Sequence, residues 1–597
     1  MRLRSKKPIY SLVLVCFAAV ADISQAPQAN IPQTAAAQNV VAQLREPAAV
    51  NFYTSTDVTR VGVQTAQPVS LSLQDAIRRA LENNNDIEIS RDDVRFQETR
   101  VHALEGIYDP VLTIAPTYSS TSTTFSSRTH DFRANAGLDK FIERGGGTIS
   151  SFFNNQRTES AFAQAQATSG SLNGGQSSAL YSSNLGLNYT QPLWRNFSID
   201  TRRHGIYVAR RNLEQTEQDF RLSANNTINT VQRAYWDYVY ALRNQQNTVA
   251  NVNLAKENLR QTEAKIEAGA SAPLERAEVA TELANREGDL LLATQQVSIA
   301  ENTLKQLVIR DPLSAEWSET FTPIDAPTFS LQPVNMDQAI RDAMDNRFEL
   351  RRLKLQQEIN AADIKYYKNQ TKPQIDLNSS FSLIGQSSGG LVTGTTTTNL
   401  LTGAQDVFLL NSLNATRQAL GLSTIGNPTL TTTAAPAYLF GGFNQSIPNL
   451  FRSSAPNYSI GVTISFPFRN RTAKANLAGA KIQEHQIDAQ LRSQENSVIV
   501  EVRNAVQAAE TSRQRVVTAQ RAREAAETQL EGERKLYENG KSTTFLLFQR
   551  ENTLTNARNA EIRAQTDYDK AVADLQRVTA TAFKANNIEV KSPLDTK

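Results

Sequence analysis

The chain has 597 residues, 20% of them charged, and a mean hydropathy of −0.42, which suits a water-exposed protein of several domains or one long one. Its formal charge of +3 and pI of 8.7 do not point to nucleic acid. Four of the basic residues, Arg2, Arg4, Lys6 and Lys7, precede an apolar run from Ile9 to Val20; without residues 1–21, 58 basic side chains face 59 acidic ones, and no basic patch with interleaved aromatics follows.

Basic residues, an apolar run and Ala19-Val20-Ala21 form the three-part layout of a secretory signal peptide. The only cysteine, Cys16, lies inside it, either as an apolar constituent of the signal or as a lipid attachment site; Val15 stands where a lipid-attachment motif wants Gly, Ala or Ser. Cleavage after Ala21 leaves a chain without disulfide or thiol chemistry. No later apolar run reaches the roughly 18 residues of a spanning helix. An exported chain without a helical anchor is periplasmic, secreted or a β-barrel of an outer membrane. Residues 22–67, rich in Gln, Ala, Pro and Thr without periodicity, read as an extended arm.

The remainder is duplicated. Residues 72–118 align without a gap on 335–381 when Pro110 is set on Pro373. Ala76-Ile77 then meet Ala339-Ile340, Ala80 meets Ala343, and Leu112, Ile114 and Tyr118 meet Ile375, Leu377 and Phe381. In each copy a helical stretch of roughly 35 residues stops at the proline, because the residue before proline is pushed out of the helical region. A strand with one apolar face follows. A second strand ends each insertion: NLGLNYTQPLWRN at 184–196 and SIGVTISFPFRNR at 459–471, with Pro192 on Pro467. Then come very long helices, about 200–266 and 471–538. Their apolar seam repeats every seven residues, through Ile228, Tyr235, Leu242 and Val249 in the first; Arg513 and Arg523 interrupt the second. A seam that narrow indicates coiled-coil contact with the other faces wet. Glycine turns, EAGASAPLE and ENGKSTTF, reverse the chain at Gly269 and Gly540, and Pro273 suits the first turn of the next helix.

The expected layout is signal 1–21 and arm 22–67, then a first repeat 68–310 with strands at about 111–119 and 183–194 around an insertion at 120–180. A linker 311–333 leads to a second repeat 334–583, with strands at about 374–383 and 457–468 around an insertion at 385–456, and a tail 584–597 closes the chain. The first insertion holds FRANAGLDKFIERGGGTISSFF, an extra hairpin that either joins the sheet or stays outside it; the second reads as a surface loop. The strands, 8–11 residues long, match tilted membrane strands. Four strands from one chain cannot enclose a channel, whereas several chains sharing one barrel can.

This pattern resembles the TolC-type outer membrane efflux family over about residues 70–583. The resemblance rests on the duplicated helix–strand–strand–helix–helix order, on SLQDAIRRALENNNDIEI with its echo NMDQAIRDAMDNRFELR, on TQPLWRN and on the glycine turns. It implies an α+β membrane protein in which a long coiled-coil α-helical barrel is fused to a transmembrane β-barrel of twelve strands shared by a homotrimer. It further implies an outer membrane exit duct with a periplasmic extension. That duct would serve tripartite efflux or type I secretion, through a periplasmic adaptor and an inner-membrane transporter of RND, ABC or MFS type. On this reading Pro110 and Pro373 mark helix-to-strand junctions and Pro192 and Pro467 strand-to-helix junctions. Gly269, Pro273, Gly540, Ser542 and Thr543 form the periplasmic tip. Glu275, Glu278, Phe545 and Leu546 are candidates for the entrance constriction. The family often carries acidic residues about six and nine positions after the tip glycine; Glu275 and Glu278 occupy those positions, but Leu546 and Gln549 stand there in the second copy. Either Glu275 and Glu278 form a ring of charge around a trimer or they are ordinary solvated helix residues. The other reading of the chain as a whole is a non-channel periplasmic adaptor or scaffold, which would need one helical hairpin between small β-domains.

Enzymatic chemistry finds no support in the residues. His102, His130, His204 and His485 are scattered, Gly145-Gly146-Gly147 lacks the Lys-Ser/Thr of a phosphate loop, and no carboxylate pair stands out as an acid–base couple, so no metal, cofactor or catalytic group is expected.

Overall fold

A computed structural model describes residues 68–122, 128–159, 179–269, 272–327, 329–330, 332–388, 396–432, 436–452 and 456–595. The signal segment and the arm expected over 1–67 lie outside them.

The body opens with strand β1 (Pro68–Leu71) and helices α1 (Leu73–Asn83) and α2 (Asn85–Glu105). These two occupy the stretch read above as one helix. The break has a local cause: Asn84 turns extended, and its carboxamide oxygen accepts from the N–H groups of Asp86 and Ile87, capping a new helix. Its counterpart splits into α5 (Met336–Asn346) and α6 (Phe348–Gln370) at Arg347, whose buried guanidinium donates to the Val578 carbonyl at 2.7 Å and to Glu349 and Glu501.

The long helices are α3 (Thr201–Glu267) and α9 (Arg471–Glu538), of 67 and 68 residues, each about 100 Å long. They reverse into α4 (Pro273–Val308) and α10 (Thr544–Val578). On the side toward the sheet, α2, α3, α6 and α9 pack in that order; toward the turns the order is α4, α3, α10, α9. Four helices thus lie abreast at either level, and α9 is always at one end. Strand β6 (Thr320–Pro323), within the stretch read as a linker, pairs in parallel with β1. This pair closes the main core, in which Ile228, Val231, Tyr235 and Tyr238 are fully buried. Burial of each aliphatic side chain there contributes about 1.5–3 kcal/mol. The Tyr235 hydroxyl donates to Asp325 at 2.8 Å, and that of Tyr238 donates to the Phe321 carbonyl.

The sheet departs from the expected four strands per chain. It has six, all antiparallel, in the order β10 (Asn457–Ser465), β7 (Gln374–Ser388), β5 (Ala179–Pro192), β4 (Thr148–Glu159), β3 (Thr129–Phe141) and β2 (Val111–Thr121). The hairpin of the first insertion, turning at Gly145-Gly146, is inserted between β2 and β5 in continuous register. Pro116 falls on β2, an edge strand of the sheet within one chain, so no ladder bond between two interior strands is lost to it. The second insertion is not a plain loop: it holds a small β8–β9 hairpin (Thr396–Asn399, Thr429–Thr432) and helices α7 (Ala404–Ala419) and α8 (Phe443–Arg452). The chain ends with a short helix, α11 (Ala582–Ala585), beyond which Val590 and Leu594 pack against the cluster of Ile87, Val94 and Phe220.

Candidate functional site

The sheet divides its residues by face. Register puts Leu112, Leu138, Ser151, Leu187 and Phe381 side by side across β2, β3, β4, β5 and β7, and Tyr458 of β10 opposite Phe381. Two residues nearer the helices the same face shows Ile149, Tyr189 and Ser379, and β7 and β10 add Ile375, Leu377, Val462 and Ile464. The opposite face carries Thr113, Asn135, Asn154, Asn184, Ser382, Asn378 and Thr463, with Phe152 and Ile384 among them, so it is polar in the main. One wall is therefore mainly apolar and the other mainly polar, the division a barrel with lipid outside and water inside would have. Both edge strands, β2 and β10, are exposed along their whole length and are free to pair with another chain.

The junctions with the helices carry prolines and left-handed turns. Pro110 precedes β2, Pro373 precedes β7, Pro192 closes β5 and Pro467 lies two residues beyond β10. After each of the latter two the chain enters the left-handed region, at Asn196 (φ 66°) and at Arg469 and Asn470 (φ 69° and 39°). Both turns fasten to the end of α6: the Asn196 N–H donates to Asn369 at 2.7 Å, and Asn470 donates to the Gln370 and Thr371 carbonyls at 3.3 Å.

At the far ends of the long helices, Gly269 and Gly540 both have φ +69°, a conformation that costs a β-carbon about 1–2 kcal/mol, and no atom lies within 4 Å of where one would stand. The Lys541 N–H returns to the Leu536 carbonyl at 2.9 Å, a turn of the type that lets glycine end a helix. Pro273 begins α4, the Thr543 hydroxyl caps α10 through the Leu546 N–H, and the Ser542 hydroxyl donates to Glu533. Phe545 is 70% exposed and Leu546 is exposed beside it, but Leu547 is buried; the apolar run is thus divided between solvent and the helix interface. Glu275 is half-buried and Glu278 exposed, and neither pairs with a base among the described residues. Between α3 and the α9–α10 turn runs a groove of about 410 Å³, lined by Lys265, Arg534, Tyr537, Thr544, Leu547 and Phe548 among others. Lys265 stands over the Tyr537 ring at 4.5 Å and binds its hydroxyl at 3.3 Å.

Behind the tip lies a polar cluster that sequence reasoning missed. Arg286 of α4, its side chain 5% exposed, donates to Glu551 of α10 (3% exposed) at 3.1 Å, to Glu282 at 2.9 Å and to the Asn251 carbonyl of α3 at 3.3 Å. Asn258 of α3 reaches both Glu551 oxygens at 3.3–3.4 Å. This network clamps the first hairpin to the second. On the other side of α10, Arg523 of α9 pairs with Glu561 at 2.6 Å and Glu527 at 2.8 Å, and Arg558 joins Glu527 at 3.1 Å. The two arginines that interrupt the second heptad seam thus serve ion pairs, Arg513 with Glu510 at 2.6 Å.

Among the described residues no three His, Cys, Asp or Glu side chains are placed to hold a metal ion, and no helix is long and apolar enough to cross a membrane.

The model of the outer membrane efflux protein family matches residues 156–308 and 339–581, about two thirds of the chain. Among solved structures, the outer-membrane channel OprN is similar at 16% identity, over 88% of this chain and 96% of its own, with a TM-score of 0.54. The outer membrane protein VceC of Vibrio cholerae matches at 14% identity over 85% and 95% of the two chains, with a TM-score of 0.53. The CmeC outer membrane channel of Campylobacter jejuni matches at 13% identity over 94% and 98%, with a TM-score of 0.53. At these identities the likeness is one of fold. No curated relative matches the chain.

Proposed function

The chain belongs to the outer membrane efflux protein family, whose members are channels and not enzymes, and on that premise we propose that three copies close into one passive exit duct of the outer membrane. The observation that carries this reading is that each chain is open at both margins, at the level of the helices and of the sheet. Four helices lie abreast toward the sheet and four toward the tips, and the sheet ends in two bare edges. Three copies give a tunnel of twelve helices at either level. They also give a barrel of eighteen strands, in place of the twelve that the family resemblance implies, because each sheet contributes six. Eighteen strands leave an aqueous bore, and the Asn-, Ser- and Thr-rich wall suits it.

The helices extend into the periplasm and their tips receive a periplasmic adaptor, which couples the duct to an inner-membrane transporter of RND, ABC or MFS type in efflux or type I secretion. Support comes from the open backbone at Gly269 and Gly540 and from the groove beside Lys265 and Tyr537. Glu275 and Glu278 on one side, with Phe545 and Leu546 on the other, narrow the entrance. The alternative of an adaptor or scaffold has against it the six-stranded sheet with its apolar wall.

Mass measurement in detergent, paired with conductance of the same preparation in a planar bilayer, tests this. The expected particle has three times the mass of the mature chain and conducts. A conducting monomer, or a trimer that is freely soluble without detergent and does not conduct, refutes it.

A further inference from the structure

Helix α8, FNQSIPNLFR at 443–452, is amphipathic in the reverse sense. It packs on β7 and β5. Ser446 and Asn449 face the strands: Ser446 meets the Ser183 hydroxyl at 2.8 Å, and the Asn449 amide donates to the Gln386 and Tyr438 carbonyls, both at 2.8 Å. The approach is so close that a β-carbon on Gly385 would stand 2.0 Å from the Ser446 carbonyl oxygen, so only glycine fits beneath the helix. Leu450 is buried with them, whereas Ile447 is 39% and Phe451 73% exposed, with Pro448 exposed between them. A helix resting on a water-soluble domain does the opposite, turning its apolar stripe inward.

The face it rests on identifies the surrounding medium. Tyr181, Ser183, Gly385 and Ser387 lie on the same side of the sheet as Leu185, Leu187, Leu383, Phe381, Leu377 and Ile375, so α8 sits on the apolar wall and not in the bore. Ten residues separate Ile375 from Gly385, about 33 Å along a strand. At the roughly 40° tilt of membrane strands this is a rise of about 25 Å, the height of the apolar band of such barrels. Helix α8 therefore lies where the band ends, on the side away from the helical tunnel. The side chains at that level are those of a membrane interface. Phe443 packs edge-on against Tyr181 at 5.0 Å and Phe132 at 6.3 Å, and Arg452 stands over Tyr438 at 5.7 Å.

We propose that α8 is an interfacial helix of the outer leaflet: its polar side is fastened to the barrel wall, Ile447, Pro448 and Phe451 enter the acyl-chain boundary, and Arg452 meets lipid phosphate. This rests on the reading that the apolar face of the sheet contacts lipid, and it adds a lipid-binding collar outside the barrel. Spin labels test it. Phe451→Cys and Ile447→Cys, in a Cys16→Ser background, are labelled and reconstituted in phosphatidylethanolamine–phosphatidylglycerol vesicles; Ile460→Cys on the apolar wall and Thr463→Cys on the polar wall serve as references. Collision with oxygen, which concentrates in lipid, is compared with collision with a water-soluble nickel chelate. At 447 and 451 oxygen collisions should exceed nickel collisions, by a smaller ratio than at 460, and at 463 nickel should dominate. Nickel dominance at 447 and 451 with oxygen dominance at 460 overturns the proposal, placing the helix in water. Exclusion of both reagents at 447 and 451 also overturns it, placing another copy of the chain over the helix. Nickel dominance at 460 instead overturns the membrane reading of the sheet itself.

Discussion

Replacing Arg286 with methionine should release the first hairpin from the second. Arg286 and Glu551 are both almost wholly buried, and the guanidinium also holds Glu282 and the Asn251 carbonyl. Removing the cation leaves the Glu551 carboxylate buried with only Asn258 as a donor, and breaking a buried pair in this way costs about 3–5 kcal/mol. Replacing both partners by apolar residues of similar volume is often neutral, because neither charge then has to be desolvated. Each 1.4 kcal/mol is a factor of ten in an equilibrium, so local opening of α4 should rise roughly a hundred- to several-thousand-fold in Arg286→Met. Hydrogen exchange of peptides spanning residues 280–297 reads that opening without unfolding the whole assembly. Glu551→Met should behave like Arg286→Met only in part, since Arg286 keeps Glu282, and the double variant should restore most of the protection lost in Arg286→Met. If the double variant exchanges as fast as Arg286→Met, the charge pairing is not what holds the hairpins together and the reasoning fails.

At the tips, a β-carbon on Gly540 or Gly269 would meet no atom beyond its chain neighbours, so the cost of Gly540→Val and Gly269→Val is mainly backbone strain of about 1–2 kcal/mol in the turn; trimer level and melting temperature should stay near those of the parent while export falls, and parallel loss of trimer and export refutes the assignment. Glu275→Gln with Glu278→Gln should lower cation preference in single-channel recordings, and unchanged selectivity removes both residues from the entrance. The carboxyls of Glu257 and Glu510 are held down at about 2 by hydrogen bonds from Arg260 and Arg513. A carboxyl lowered on folding stabilises above its unfolded pKa near 4.3 and loses that contribution only as pH falls toward 2. Circular dichroism at 222 nm should therefore stay flat from pH 8 to 5 as far as these groups are concerned, and a melting transition near neutrality would have to arise elsewhere.

The broad α+β outline was legible because its signals are local and repeated. A heptad seam, a glycine at each reversal and a proline before each strand act over a few residues and occur twice. What was not legible depends on contacts distant in sequence or on weak periodicity. Strands β3 and β4 place Ala134, Ala136, Ser151 and Asn155 on the apolar wall, so alternation hardly shows; only the triple glycine between them marks the hairpin. Helix α8 carries Pro448 and follows Gly441-Gly442, both breakers by sequence, and its polar side is the buried one. Arg286 and Glu551 are 265 residues apart, and each has the ordinary look of a charged residue on a solvated helix. The break at Asn84 was readable in hindsight: an asparagine followed by Asp86 and Glu88 is an N-terminal signature inside what looks like one helix.

The duplication also explains why the two halves no longer share one pattern. Helix α3 has neighbours on both flanks at every level, α2 and α6 toward the sheet, α4 and α10 toward the tips. Its seam is accordingly apolar through Ile228, Val231, Tyr235, Tyr238 and Val252, all buried. Helix α9 packs on α6, α10 and the short α5, and among the described residues no further long helix of its own chain lies along it. On it Val500, Ile482 and Leu536 are about half exposed, and Arg513 and Arg523 take seam positions. On the proposed three-copy duct, the free flank of α9 would face α2 and α4 of the next copy; Leu291, Leu292 and Ile299 of α4 are equally bare. The same division applies to the sheet, where the interior strands are paired within the chain and only β2 and β10 await a neighbour. One repeat has specialised toward the middle of the protomer and the other toward its margin; Arg513 and Arg523 belong to the side of α9 that packs within the chain, where Arg523 pairs with Glu561 of α10, and the margin is marked instead by Val500, Ile482 and Leu536.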